Sequence, residues 1–185
     1  MQIDIPAFGH YPNSSFLGFP MSQNRHALAA WNWLLEAMHP STLIEIGTSV
    51  GGFSALMALA AANFDARFVT YDINDMRPER LRMFTDAAFR RADCFDRTEE
   101  IGALIQRPGT TYVFCDGGDK VRELQTFSAF LKPGDVIGAH DYACGCDWPW
   151  AEIRDCDVEP VAMRDGLEKI DDLFDRSGWI VMRKH

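Results

Sequence analysis

The fold is decided by residues 43–52, which read LIEIGTSVGG. An apolar strand runs here through closely spaced glycines into an alanine-rich helix, predicted over residues 52–62. In open α/β sheets the turn after such a strand lies at the carboxyl edge, where ligands bind, and glycine lets the backbone approach a ligand closely. The stretch therefore predicts a binding turn for a nucleotide-like cofactor.

Apolar runs and helical segments alternate on both sides of this turn. Because parallel neighbouring strands need a crossover of about a dozen residues, the alternation indicates βαβ units. We expect a single α/β domain, with a Rossmann-like, mostly parallel sheet of about seven strands flanked by helices. Residues 21–185 are assigned to this domain, and residues 1–20, rich in Pro, Gly and Phe, to an irregular N-terminal arm. Further strands are predicted over 42–46, 67–71, 111–115, 135–139 and 179–182, and further helices over 80–89, 98–105 and 121–131.

Charge and composition restrict the partners. The formal net charge is -9 and the acidic residues are spread along the chain, so that no basic stripe is present to neutralise nucleic-acid phosphates or a membrane surface. A small-molecule substrate is the expected partner. No run approaches the ~20 apolar residues of a membrane span, and the first residues lack a secretory pattern, which predicts a cytoplasmic protein. The five cysteines are an odd number, which favours reduced thiols.

The glycine spacing limits which cofactors the turn can bind. It follows Glu-x-Gly-x-x-x-Gly and lacks the Gly-x-Gly-x-x-Gly that packs a pyrophosphate against a helix, so an NAD-dependent oxidoreductase is disfavoured but stays an alternative. Asp72 follows the apolar run 68–71, where a carboxylate can accept hydrogen bonds from both ribose hydroxyls. The alternative is structural, since any parallel α/β protein places glycines and acids at such turns.

With these residues in place, the chain resembles class I S-adenosylmethionine-dependent methyltransferases, most closely the branch of cephalosporin-hydroxylase-like proteins and small-molecule O-methyltransferases. The resemblance implies methyl transfer from S-adenosylmethionine to a small molecule, at a hydroxyl. It also implies that Glu45 lies near the methionine amino group, that Gly47, Thr48 and Gly51 line the cofactor, and that Asp72 binds its ribose.

The same resemblance implies an adenine contact from the turn after the third strand of the fold. The matching segment is Ala92-Asp93-Cys94, in which Asp93 could accept a hydrogen bond from the adenine amino group. A solvated Asp93 is the alternative.

Carboxylates and an imidazole are expected together at the ends of two further strands. Asp116 follows the strand 111–115, and His140 and Asp141 follow the strand 135–139, all at the carboxyl edge. Mg²⁺ prefers oxygen ligands, and a bound ion would lower the pKa of a substrate hydroxyl. Metal-dependent members of the resembling group hold their ion with carboxylates at these strand ends. Asp116 and Asp141 are therefore candidate metal ligands and catalytic residues, and Asp116 also borders the cofactor.

The sequence indicates the general base of the reaction less clearly than the cofactor-binding residues. The resembling family often has a histidine three residues after the first Asp, where this chain has Asp119. His140 is the nearest substitute, because an imidazole suits general-base work near neutral pH. Structural roles for His140 and Asp116 are the alternative. It also stays open whether the protein binds S-adenosylmethionine without catalysing a reaction.

A tryptophan pair follows the predicted strand 135–139, in the Trp-Pro-Trp of residues 148–150. Such a segment would overhang the site, either as an apolar wall for a flat acceptor or as packing for a lid or a subunit contact. The sequence leaves homo-oligomer formation open.

Overall fold

The computed structural model describes residues 14–21, 23, 25–142, 151–170, 174 and 177–185. The strands are β1 (Ser14–Phe16), β2 (Phe19–Met21), β3 (Thr42–Ile46), β4 (Arg67–Asp72), β5 (Phe89–Arg91), β6 (Thr111–Cys115), β7 (Val136–His140), β8 (Leu167–Lys169) and β9 (Trp179–Lys184). The α-helices are α1 (Arg25–Met38), α2 (Gly52–Phe64), α3 (Glu79–Thr85), α4 (Thr98–Ile105), α5 (Lys120–Phe127) and α6 (Asp155–Asp165).

The main sheet has seven strands in the order β5-β4-β3-β6-β7-β9-β8. The five strands from β5 to β7 are parallel, and β9 runs antiparallel to both of its neighbours. Ile46 is in register with Tyr71 on one side and Cys115 on the other. Gly47, Asp72 and Asp116 therefore leave the sheet at the same level, as the α/β prediction requires.

Both faces of the sheet are buried, which explains why its central strands read as continuous apolar runs. On one face, Ile44, Val113 and Ile137 pack in a core cluster with residues of α4, α5 and α6. On the other face, the ring of Trp31 from α1 packs edge-on against aromatic rings that include Phe114, at a centroid distance of 4.7 Å. Edge-to-face pairs of this kind contribute roughly 0.5 to 1.5 kcal/mol each beyond area burial.

The predicted irregular arm is wrong where the structure describes it. Residues 14–21 form the hairpin β1–β2, joined by Leu17 and Gly18, whose φ angles are 51° and 81°. Positive φ at both turn residues matches the twist of a tight hairpin. The sequence has no Asn-Gly pair here, so it does not predict this turn. The hairpin packs on α2, where a Cβ atom on Gly52 would lie 2.2 Å from the Pro20 carbonyl oxygen. Residues 1–13 lie outside the described residues.

The helix predicted over residues 80–89 is also corrected. Helix α3 ends at Thr85, and Phe89 begins the edge strand β5. Hydrogen bonds from the Thr70 amide to the Ala88 carbonyl and from the Ala92 amide to the Asp72 carbonyl hold this strand to β4. A three-residue edge strand has too few positions to show a period, so tertiary pairing decides it. In the described part of the chain, no helix is long and apolar enough to cross a membrane.

Candidate functional site

The glycine turn after β3 is held against its two neighbouring strands. The Gly47 amide donates to the Tyr71 carbonyl at 2.8 Å, and Gly47 has a φ of +92°. A Cβ atom on Gly47 would lie 2.1 Å from the Asp116 carbonyl oxygen. A side chain is excluded here, and the backbone itself forms the floor of the site.

Asp72 lies beside this turn with its carboxylate fixed by two backbone amides. Ser49 donates to Oδ2 at 2.8 Å, and Asn74 donates to Oδ1 at 2.9 Å. Each carboxylate oxygen has two lone pairs, so each can still accept another hydrogen bond. The side chain is half-buried and borders the main cleft, as the sequence predicts for a residue that binds a ligand.

The main cleft, of about 450 Å³, opens along the carboxyl edge of β3, β4 and β6. Its charged lining consists of five carboxylates and one guanidinium, namely Asp72, Asp93, Asp116, Asp119, Glu123 and Arg122. The excess of acidic groups makes the cleft favourable for a cation and unfavourable for a phosphate-bearing ligand.

Asp93 also lines the cleft and is exposed. Its Oδ1 atom accepts a hydrogen bond from the Phe95 amide at 2.9 Å. The guanidinium carbon of Arg122 lies 3.8 Å from the centroid of the Phe95 ring, and both side chains line the cleft. This stacked pair offers a flat surface to a planar ligand, and the sequence analysis missed both residues because an Arg 27 positions from a Phe shows no pattern.

Glu45, Thr48 and Gly51 line a smaller cavity of about 20 Å³ on the inner side of the turn. The Ser54 hydroxyl donates to Glu45 Oε2 at 2.5 Å, and Thr48 Oγ1 lies 2.5 Å from Thr70 Oγ1. Burial raises the pKa of Glu45 to about 8, despite the hydrogen bonds that oppose it. Glu45 is therefore mainly uncharged at neutral pH. The structure brings these three residues beside Gly47, but behind the main cleft.

Asp116 is held by partners from distant parts of the chain. The Gln23 side-chain amide donates to Asp116 Oδ2 at 2.7 Å, and the Trp179 indole in turn donates to Gln23 Oε1 at 2.6 Å. His140 Nδ1 lies 3.0 Å from Asp116 Oδ1. The sequence places Asp116 and His140 together correctly, but it gives no indication of Gln23.

His140 is the last residue of β7, one position further into the strand than predicted, and is only 3% exposed. Its Nε2 atom is buried and has no hydrogen-bond partner among the described residues. Burial lowers its pKa, but the charge of Asp116, the hydrogen bond to Asp116 and the charge of Asp141 outweigh burial, so the pKa lies above its ordinary value. His140 thus tends to hold a proton facing Asp116.

Lys120, the first residue of α5, reaches the same group of acids. Its Nζ atom lies 2.7 Å from Glu152 Oε2, 3.1 Å from Asp141 Oδ2 and 3.9 Å from Asp116 Oδ1. Burial lowers the pKa of Lys120, but the hydrogen bond to Glu152 and the charges of Asp116 and Asp141 outweigh it and raise the pKa above its ordinary value. The sequence analysis missed this residue.

Asp116, His140 and Asp141 offer ligand atoms within 4.8 Å of one another. Two carboxylates and an imidazole are a donor set that a divalent cation can use, but the Lys120 ammonium already lies 3.1 Å from Asp141 Oδ2 and 3.9 Å from Asp116 Oδ1. Asp141 has a φ of 57°, a conformation that a non-glycine residue adopts at an energetic cost. This backbone conformation turns the chain away from β7 at Asp141, whose carboxylate lies beside Asp116 and His140.

Asp119, which stands where the resembling family often has a histidine, begins α5. Its side chain accepts a hydrogen bond from the Arg122 amide at 3.1 Å, as a helix N-cap does. Glu123 supports the same loop, because its carboxylate accepts from the Gly117 and Asp119 amides at 3.2 and 3.3 Å. Burial raises the pKa of Glu123 to about 7. The Trp-Pro-Trp segment of residues 148–150 lies outside the described residues.

Several solved structures of other proteins share the fold of this chain. A complex of CmcI with magnesium and S-adenosylmethionine aligns with 98% of this chain and 82% of its own, at a TM-score of 0.68 and 17% identity. A complex of CmcI with S-adenosylhomocysteine aligns with 99% of this chain and 87% of its own, at a TM-score of 0.61 and 16% identity.

A third similar structure is the O-methyltransferase TomG from Streptomyces achromogenes, involved in tomaymycin synthesis, in complex with S-adenosylmethionine. It aligns with 86% of this chain and 79% of its own, at a TM-score of 0.51 and 17% identity. No protein-family model matches the sequence, and a search of curated proteins finds no relative. The chain therefore has the Rossmann-like fold of class I methyltransferases, as its sequence predicts.

Proposed function

We propose that the protein transfers a methyl group from S-adenosylmethionine to a hydroxyl of a small molecule. The observation that carries this proposal is Asp72, whose carboxylate is fixed by the Ser49 and Asn74 amides beside the glycine turn and borders the cleft. A carboxylate held in this way can accept hydrogen bonds from two neighbouring hydroxyls, as a ribose presents. The shared fold with structures that hold S-adenosylmethionine supports the same assignment.

The charge of the cleft favours this cofactor over NAD. Five carboxylates against one guanidinium suit a sulfonium cation, whereas the pyrophosphate of NAD would bring two negative charges into an acidic cleft. The turn also lacks the second early glycine of a pyrophosphate-binding motif. An oxidoreductase is therefore the weaker interpretation.

The cofactor side of the site is assigned as the sequence analysis expects. Asp72 would bind the ribose, and Asp93, next to the Phe95 surface, would receive the adenine amino group. Gly47, with no side chain, would let the cofactor approach the backbone. Glu45, Thr48 and Gly51 shape the turn from behind, and Glu45 would reach the methionine amino group only through the small inner cavity that it lines.

When bound, S-adenosylmethionine supplies a methyl group activated by a positively charged sulfur. This chain then has to hold the acceptor oxygen in line with that methyl group, which is mainly a task of positioning. Asp116 borders the cleft, so its carboxylate, which contacts His140, is the group able to take the proton of the acceptor hydroxyl. Asp141 adds a second carboxylate beside Asp116, and its Oδ2 atom is paired with the Lys120 ammonium at 3.1 Å.

Divalent-metal assistance is not part of this proposal. Asp116, Asp141 and His140 offer ligand atoms within 4.8 Å of one another, and a bound Mg²⁺ would lower the pKa of the acceptor hydroxyl, but the Lys120 ammonium already pairs with Asp141 Oδ2 at 3.1 Å.

Transfer of labelled methyl from S-adenosylmethionine to a panel of hydroxylated small molecules tests the proposed activity. We expect product with at least one acceptor, and a loss of about 100-fold or more in kcat for Asp116→Asn, because the proton acceptor is removed. Glu99→Gln, at an exposed position of α4 outside the cleft lining, is the control and should match the wild type. Tight cofactor binding without transfer to any acceptor would instead support the non-catalytic alternative.

A further inference from the structure

Lys120 places a positive charge among the carboxylates of Asp116, Asp141 and Glu152. Its ammonium has three N–H donors, and three oxygens lie within hydrogen-bond distance: Glu152 Oε2 at 2.7 Å, the Gly117 carbonyl at 3.0 Å and Asp141 Oδ2 at 3.1 Å. The side chain is only 6% exposed. A buried ammonium with all donors matched is a fixed charge rather than a solvated surface lysine.

The two carboxylates that would ligate a metal already have partners within the chain. Asp116 Oδ2 receives the Gln23 amide at 2.7 Å, and Asp116 Oδ1 lies 3.0 Å from His140 Nδ1. Asp141 Oδ2 is the oxygen paired with Lys120. A divalent ion bound by Asp116 and Asp141 would stand close to the Lys120 ammonium, and repulsion between like charges in a buried site would oppose its binding.

We propose that Lys120 is the built-in cation of this site, which compensates Asp116 and Asp141 and excludes a divalent ion from the position between them. The proposal rests on the methyl-transfer function proposed above and concerns how that site is charged. It predicts that methyl transfer by the wild-type protein does not depend on a divalent metal.

Binding of Mn²⁺ to the metal-stripped protein, measured by electron paramagnetic resonance and by titration calorimetry, tests this assignment without an acceptor. We expect wild-type protein to bind Mn²⁺ no tighter than about the millimolar range, and Lys120→Met to bind it about tenfold tighter or more, since the competing charge is gone. Adding Asp141→Asn to Lys120→Met should remove the gain. Lys120→Arg keeps the charge and should behave as the wild type.

Lys132→Met is the matched control, because Lys132 also pairs with a buried aspartate, Asp135, at 2.8 Å, but at the start of β7. This variant should not gain Mn²⁺ affinity. Thermal melting of every variant verifies that the protein measured is folded, and Lys120→Gln replaces Lys120→Met if the latter does not fold.

Micromolar Mn²⁺ binding by the wild-type protein that Asp141→Asn abolishes would overturn the inference, even if every Lys120 variant failed to fold. Binding of S-adenosylhomocysteine is measured on the same samples. If that ligand binds while wild-type protein also binds Mn²⁺ tightly, the Lys120 assignment fails and the proposed function stands. If that ligand does not bind, the proposed function fails whatever the metal result.

Discussion

Gly47 and Asp116, which directly follow the neighbouring strands β3 and β6, approach so closely that a Cβ atom on the glycine would lie 2.1 Å from the aspartate's carbonyl oxygen. This contact joins the glycine turn at the floor of the main cleft to Asp116, which borders the same cleft. The glycine turn and the acidic group are therefore one structural unit, and changes at one should be felt at the other.

Replacing Gly47 by alanine should destabilise the protein. The φ of +92° is unfavourable for an L-residue, and the methyl group would overlap the Asp116 backbone, so we expect a loss of roughly 2 to 4 kcal/mol in the free energy of unfolding. Urea denaturation measures this. Gly118→Ala is the control, because a Cβ there meets no atom within 4 Å. Equal stability of the two variants would contradict the structure at this turn.

Asp72 should contribute cofactor affinity. In Asp72→Ala the ribose hydroxyls lose their acceptor, and we expect affinity for S-adenosylhomocysteine to fall by roughly 1 to 3 kcal/mol. Because Asp72 also holds the Ser49 and Asn74 amides, Asp72→Asn is compared with it: the Asn side-chain oxygen can keep one of these two loop contacts, whereas its NH2 group cannot accept the other. Calorimetry on folded protein provides the values. Unchanged affinity in both variants would remove Asp72 from the site.

The buried Glu45 should make stability fall as pH rises. Its pKa is about 8 in the folded protein against an ordinary 4.5, so the folded state keeps a proton that the unfolded state releases between these values. Stability from this group is full below about pH 4.5 and declines by at most roughly 1.4 kcal/mol per pH unit up to about pH 8.

Glu45→Gln removes this titration. The difference in unfolding free energy between wild type and variant should therefore shift in favour of the variant as pH rises from 5 to about 8, and taking the difference cancels Glu123 and the other acids. Chemical denaturation at several pH values measures it. A constant difference across that range would show that Glu45 is not buried as an acid.

Gln23 should stabilise the position of Asp116. In Gln23→Leu the Trp179 indole N–H and one Asp116 oxygen both lose a partner in the interior, which should cost roughly 1 to 3 kcal/mol for each group left unsatisfied. Denaturation reports the loss, and Gln23→Glu should be worse, because it sets a second carboxylate against Asp116. A neutral effect of Gln23→Leu would mean that these bonds do not hold Asp116 in solution.

The glycine turn and the aspartates at the strand ends could be predicted from the sequence, because each belongs to a short continuous pattern. The strand, glycines and helix of residues 43–64 form a continuous stretch, and Asp72 and Asp116 each follow an apolar run directly, so their place at the carboxyl edge follows from the parallel sheet. Among the described cysteines, Cys94 and Cys115 are buried and Cys156 is exposed.

The remaining parts depend on contacts between distant residues. Gln23 and Asp116 are 93 positions apart, and Lys120 meets Glu152 across 32 positions, so neither pair leaves a periodic pattern. Lys120 also begins a helix on a polar-looking segment, where a lysine is expected to be solvated. Burial of its ammonium among carboxylates is visible only in the folded structure.

Titration calorimetry of the purified, metal-stripped protein with S-adenosylhomocysteine, repeated with NAD, tests the proposed cofactor. We expect binding of S-adenosylhomocysteine at about micromolar Kd, with no binding of NAD at the same concentrations. Binding of NAD alone, or of neither ligand by protein shown to be folded, would contradict it.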